Sequence, residues 1–201
     1  MNTQPRYRRR ALAAAMLIIG ALIFSWLPAT ASANEHALAR QEPFTGRACV
    51  LNAPDAANGY GHAGWAVMDA GGNWFSGATE VKANEHKPEA SWSRGPEPEA
   101  EMLRHFHTKR PVAPYTRFRC RDVANPNPGN AVNKFAELAK QDYNLITNNC
   151  LTRSMNTIRA YSEDAVTGLP GPGVGDGPNG YFEAQLWKAN WEPINWLAGT
   201  Q

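Results

Sequence analysis

An α+β fold is predicted for this chain, and three observations carry the prediction. Short strand-like stretches come early (47–52, 62–69, 73–79), apolar stripes at helical spacing come mostly late (131–140, 150–161), and helices do not alternate with strands as a βαβ arrangement requires. In chain order, residues 47–52 (Arg-Ala-Cys-Val-Leu-Asn) read as a first strand and Asn58-Gly59-Tyr60-Gly61 as a glycine-rich turn. Residues 62–69 form a second strand, Ala70-Gly71-Gly72 a tight turn and 73–79 the return strand, together a β-hairpin. The polar stretch 82–98, with Pro88, Pro96 and Pro98, reads as a loop. Residues 99–109 predict a short helix: Glu99 and Glu101 suit the positive end of its dipole, and Met102, Leu103 and Phe106 point inward.

Residues 114–123 alternate apolar and basic, a half-buried strand with Phe118 and Cys120 on one face and arginines on the other. Asn125-Pro126-Asn127-Pro128-Gly129 is a turn, and Asn130 is a natural N-cap for a helix over 131–140 with Val132, Phe135, Leu138 and Ala139 on one side. A further helix over 150–161 aligns Leu151, Met155 and Ile158 in one apolar stripe. The Gly/Pro-dominated run 166–180 predicts an irregular loop. The stretch 181–197, carrying Phe182, Leu186, Trp187, Trp191 and Trp196, docks as a short helix plus tail.

The N-terminus has its own logic. Arg6, Arg8, Arg9 and Arg10 precede an apolar run over 11–27, then Pro28 and the small triplet Ala31-Ser32-Ala33, the order of a bacterial-type export signal with its cleavage site. The alternative is an uncut anchor, because the apolar run approaches the roughly 20 residues that span a bilayer. Pro28 and the A-x-A triplet favour cleavage, and the adjacent arginines lack the rest of a twin-arginine motif. The expected layout is a signal peptide over 1–33, a flexible arm over 34–46 and one domain over 47–201, placed in the cell envelope or secreted, with no stable membrane insertion after cleavage. Four of the 20 basic residues leave with the signal, so 16 face 18 acidic ones, a net charge of −2. That balance excludes a nucleic-acid partner of the ordinary basic kind.

Three cysteines in an oxidising compartment leave one over. Cys49 and Cys120 both lie in strand-like stretches and are paired here as a disulfide, leaving Cys150 as a free thiol; the alternative is three reduced, buried thiols. Asn148 and Asn149 precede Cys150 and place it in the first turn of a helix, where unpaired N–H groups and the dipole stabilise a thiolate. The same N–H groups suit an oxyanion. The rival reading is a packed core thiol. His62, which opens a strand beside Ala63 and Gly64, is the candidate base; its rival reading is a polar residue at a strand edge.

His62-Ala63-Gly64, an apolar strand, a Gly turn and a return strand resemble the histidine hairpin of NlpC/P60-type papain-like cysteine hydrolases. The segment Tyr143-Asn144-Leu145-Ile146-Thr147-Asn148-Asn149-Cys150 resembles the tyrosine-to-Asn-Cys segment of the permuted branch, which includes lecithin:retinol acyltransferase-like and PPPDE-like families, with histidine before cysteine. The resemblance covers roughly 47–161 and implies a papain-like antiparallel sheet with packed helices, a Cys150–His62 pair, a third polar residue on the return strand at Ser76 (with Asn73 and Thr79 nearby), and Asn149 and Tyr143 in oxyanion or supporting roles. A histidine, asparagine or glutamine is usual in the third position, so Ser76 departs from the pattern.

The remaining histidines, His36, His86, His105 and His107, read as solvated surface, and no Cys/His spacing fits a metal. The 168–180 run lacks the lysine and flanking strand of a phosphate loop, so no cofactor is expected. Trp187, Trp191 and Trp196 read as core or tail packing, with stacking on sugars the alternative. The expected function is a secreted thiol peptidase or amidase acting on cell-wall peptide or another amide. The alternatives are an acyltransferase or thioesterase on the same scaffold, and a non-catalytic, disulfide-stabilised binding protein.

Overall fold

A computed structural model describes residues 45–80, 90–108, 113–173 and 176–197. The expected signal peptide and most of the arm lie outside the described residues. The elements are β1 (Gly46–Ala53), β2 (His62–Met68), β3 (Trp74–Thr79), β4 (Ser91–Glu97), α1 (Glu99–Thr108), β5 (Arg117–Val123), α2 (Pro128–Ala139), α3 (Cys150–Tyr161), a helical stretch α4 over 178–188 containing a π turn at Tyr181–Gln185, and a short β6 (Asn195–Trp196). The strands form one six-stranded sheet in the order β4-β3-β2-β1-β5-β6, with every neighbouring pair antiparallel. The fold is therefore α+β, as the order of elements predicted.

Both faces of the central strands are covered. Ala48 and Val50 of β1 with Ala63, Trp65 and Val67 of β2 face α2, α3 and α4. Cys49, Leu51, Ala66, Trp74 and Ala78 face the opposite way, onto Met102 and Phe106 of α1 and onto Tyr115. Trp65 is fully buried and lies 5.2 Å, ring to ring, from Phe135 of α2. Truncating such a side chain typically costs about 3–5 kcal/mol. Gly64 has a packing reason: a Cβ there would come within 2.5 Å of the Phe106 ring. The glycine two positions after His62 thus admits α1.

Cys49 and Cys120 lie directly opposite each other on β1 and β5 and are joined, while Cys150 is free and buried. A link across a sequence separation of 71 residues removes chain entropy from the unfolded state, an effect of about 4 kcal/mol. The β2–β3 turn is held by the Asp69 carboxylate, which accepts from the Gly71 and Asn73 backbone N–H groups at 2.8 and 2.9 Å. Helix α3 begins in a capping box: Asn149 Oδ1 accepts from the Thr152 N–H at 2.9 Å, and Thr152 Oγ1 accepts from the Asn149 N–H at 2.7 Å.

Four expectations change. Residues 91–97, read as loop, are the edge strand β4; Pro96 is accommodated because an edge strand need not donate on both sides. The tail adds β6, which pairs with β5. The N-cap of α2 is Asn127, not Asn130: the Asn130 N–H donates to Asn127 Oδ1 at 3.0 Å and Pro128 occupies the first turn. The arginine side of β5 is not a solvated face. Arg117 and Arg119 are buried beneath α4, with their guanidinium groups 5.1 and 5.5 Å from the Phe182 ring centre.

Candidate active site

Local chemistry of the 141–149 loop fixes the start of α3. Asn144 Oδ1 accepts from the Ile146, Thr147 and Asn148 N–H groups, which curls the chain and leaves Leu145 and Ile146 exposed. Asn148 Nδ2 donates to the Asp142 carbonyl at 2.7 Å, and Asn149 Nδ2 to the Leu145 carbonyl at 2.9 Å. Both Asn149 side-chain atoms are thereby committed to the cap and the loop, a supporting role rather than that of an oxyanion donor. Cys150 follows as the first residue of α3. Its N–H donates to the Tyr143 hydroxyl at 3.3 Å, and that hydroxyl also bonds the sulfur.

His62 opens β2 directly after Gly61, whose φ of +89° suits glycine alone and where a Cβ would lie 2.1 Å from Asn179 Oδ1. Its ring hydrogen-bonds the Cys150 sulfur, which the Ala63 backbone also reaches. The other side of the ring faces a carboxylate: His62 Nε2 is 3.4 Å from Glu80 Oε2. With Nε2 turned to Glu80, Nδ1 is the nitrogen left for the sulfur. Glu80 follows β3 directly and is itself held, its Oε1 accepting from Trp92 Nε1 at 3.1 Å and from the Tyr115 hydroxyl at 3.3 Å.

Ser76 does not occupy the third position. It pairs with Ala66 in mid-strand, and its hydroxyl donates to Glu97 Oε1 at 3.4 Å. Asn73 and Thr79 stand aside too: Asn73 bonds Asp69, and Thr79 Oγ1 lies 2.9 Å from Ser91 Oγ. The signal for Glu80 was in the hairpin register. With Gly64 opposite Ala78, the next position on β3's side of His62 is residue 80. Counting outward from an Asp69–Asn73 turn reaches it.

The electrostatics follow from these neighbours. Burial disfavours a charged His62 ring, but the Cys150 sulfur beside it and Glu80 outweigh burial and hold the ring up at about 10. Burial pushes the Cys150 thiol up, but the His62 ring, the Ala63 backbone and the Tyr143 hydroxyl bring it below its ordinary value. Tyr143 moves upward, through burial and the nearby sulfur, and keeps its proton. The arrangement favours a thiolate–imidazolium pair, the nucleophilic form of cysteine.

The pair sits in a cavity of about 410 Å³ lined by Ala57, Tyr60, Tyr143, Leu145 and Pro178 beside His62 and Cys150. Tyr60 (72% exposed) and Leu145 (67% exposed) form an apolar mouth. The run read as an irregular loop supplies one wall, through Gly173, Asp176 and Gly177. Asn179 joins α4 to the His62 side: its Nδ2 donates to the Pro54 and Gly59 carbonyls at 2.9 and 2.8 Å. Asn52 Nδ2 donates to both the Asn179 Oδ1 and the His62 carbonyl.

Of the other histidines, His105 is buried, with Nδ1 3.0 Å from Glu97 Oε2, which corrects its reading as surface; His107 is half-buried. His36 and His86 lie outside the described residues. Among the described residues, no group of three His, Cys, Asp or Glu side chains is placed to hold a metal ion. Trp191 is core, Trp187 packs over Arg119 and Trp196 is half-exposed; none lines the cavity. No described helix is long and apolar enough to cross a membrane. Comparison with protein-family models, curated proteins and solved structures returns no match to the chain.

Proposed function

We propose that this chain is an extracytoplasmic thiol hydrolase of the papain-like, permuted NlpC/P60-like kind, acting on an amide such as a cell-wall peptide. The observation that carries the reading is the meeting, at one cavity, of a free helix-initial cysteine with a histidine backed by a glutamate. The disulfide and the basic-apolar N-terminus support a location outside the cytoplasm.

The Cys150 thiolate attacks the substrate carbonyl carbon and forms a C–S bond. The carbonyl oxygen becomes an oxyanion that the Tyr143 hydroxyl and the Cys150 N–H stabilise, the substrate oxygen displacing their mutual contact. The His62 imidazolium gives its proton to the leaving amine as the C–N bond breaks. Neutral His62 then takes a proton from water, whose oxygen attacks the acyl-enzyme, and the acid departs as thiolate and imidazolium are restored. Glu80 orients the ring and stabilises its charged form. Digestion of muropeptides, followed by chromatography, tests the reading. Cys150→Ala is expected to lose activity by at least on the order of 10³-fold, and equal digestion by both proteins would sink the hydrolase.

One observation favours a second reading, ester or thioester cleavage or acyl transfer: the cavity wall and mouth are largely apolar. Para-nitrophenyl esters of increasing chain length distinguish the two, since a rate that climbs with chain length marks an acyl site. Glu80 beside His62 supports the catalytic reading over a binding protein without catalysis.

A further inference from the structure

Arg153 is 2% exposed, among the most buried side chains described. It stands three residues after Cys150 on α3, and its contacts are all to neutral acceptors: Nε to Asn148 Oδ1 at 3.1 Å, one terminal nitrogen to Thr79 Oγ1 and Ser91 Oγ at 3.2 Å each, the other to the Gln141 carbonyl at 2.6 Å. Its guanidinium lies 5.4 Å from the centre of the Tyr143 ring. Arg47 meets Asp122 and Glu192, and Arg117 meets Glu183, whereas buried Arg119 donates to the Glu192 backbone carbonyl and lies on β5 rather than on the cysteine's helix. Among the described residues, Arg153 makes no ion pair with an acid. A guanidinium does not shed its proton readily, so this positive charge stays in the interior and favours a negative charge nearby.

We propose that Arg153 is the positioning residue that keeps the Cys150 sulfur anionic, by placing an uncancelled positive charge on the sulfur's own helix while gripping the turn that carries Tyr143. The proposal rests on the thiol-hydrolase reading. The groups facing the sulfur are His62 from β2 and Tyr143 from the preceding loop; Arg153, three residues along α3, stands behind Tyr143, with its guanidinium 5.4 Å from that ring's centre. Glu80, at the end of β3, is turned to His62, Trp92 and Tyr115. Burial holds Arg153 below its ordinary range, and the neighbouring Tyr143 hydroxyl and Cys150 sulfur oppose this. Attraction between opposite charges is mutual, so a guanidinium fixed one turn along the sulfur's helix favours the anionic sulfur.

The test is the pH profile of Cys150 alkylation by iodoacetamide, measured on the wild type, Arg153→Met and Arg153→Lys, with circular dichroism to verify folding. Loss of the charge is expected to raise the midpoint by about one pH unit or more in Arg153→Met. Arg153→Lys, which keeps the charge but loses the fork, is expected to stay within about 0.3 unit of wild type. A folded Arg153→Met protein with an unmoved profile overturns the proposal. If the Met variant does not fold, Arg153→Gln, which removes the charge but keeps polar contacts, decides: a folded protein with its midpoint raised by about a unit upholds the role of charge, and an unmoved profile or failure to fold overturns it. A wild-type midpoint near that of an ordinary thiol, about 8.5, would instead sink the hydrolase reading, and this proposal with it.

Discussion

Two buried histidines in this molecule each face a glutamate, and they differ in what that contact does. His62 at the head of β2 meets Glu80 at 3.4 Å, and His105 on α1 meets Glu97 at 3.0 Å. The closer pair does not hold the stronger charge. Burial lowers His105, the positive charges of Arg94 and Arg104 add to that effect, and Glu97 does not offset them. Burial opposes His62 too, yet the Cys150 sulfur and Glu80 together carry it up to about 10. A carboxylate alone does not keep a buried imidazole protonated; here the second anion, the sulfur, decides it. The His105 neighbourhood even contains a serine, but Ser76 donates to Glu97 rather than to the ring. A nucleophile must pass its proton to the base, and with the carboxylate between them that path is missing.

The largest expected separation between the two regions comes from removing each imidazole. His62→Ala should slow Cys150 alkylation at pH 6 by on the order of 10²-fold, because an ordinary thiol is then almost wholly protonated, whereas His105→Ala should leave it within about twofold. Equal slowing in both variants would mean that the reactivity belongs to general folding. Next comes the pair of supporting groups. Glu80→Gln should lower the muropeptide rate by on the order of tenfold, with Ser76→Ala within about twofold of wild type; the reverse order would return the third position to Ser76. The smallest but most direct contrast is in ring titration followed by NMR. The His62 signals should stay in the protonated state through pH 8 and change near 10, while those of His105 change below 6.5. Because His62 must be charged to serve as the acid, activity should persist into mildly acidic solution and fall as pH rises through about 10.

What could be read in the sequence was local. The Asn149 cap and the apolar stripe of α3 are written within twelve residues and place Cys150 at a helix start. The Asp69–Asn73 turn defines the hairpin that brings His62 forward. What escaped depends on partners distant in the chain. Glu80 is chosen by strand register, and one miscounted turn residue moves the third position along the strand. β4, with Gly95 and Pro96 in its midst, has no strand-like pattern of its own and exists because β3 offers it an edge. His105 looks like a surface residue until Glu97 closes over it, and Arg153 looks like the polar side of an amphipathic helix until Thr79 and Ser91 are brought to it.

The side-chain amide of Asn179 is a fastener, and its location has a practical consequence. It bolts the C-terminal portion to the short segment immediately ahead of the histidine. Asn179→Ala would leave Tyr181, Phe182, Leu186 and Trp191 in the core and retain the cysteine, the imidazole and the glutamate, yet lose the brace that sets their spacing. Removing that one amide should therefore disarm the molecule without unravelling it.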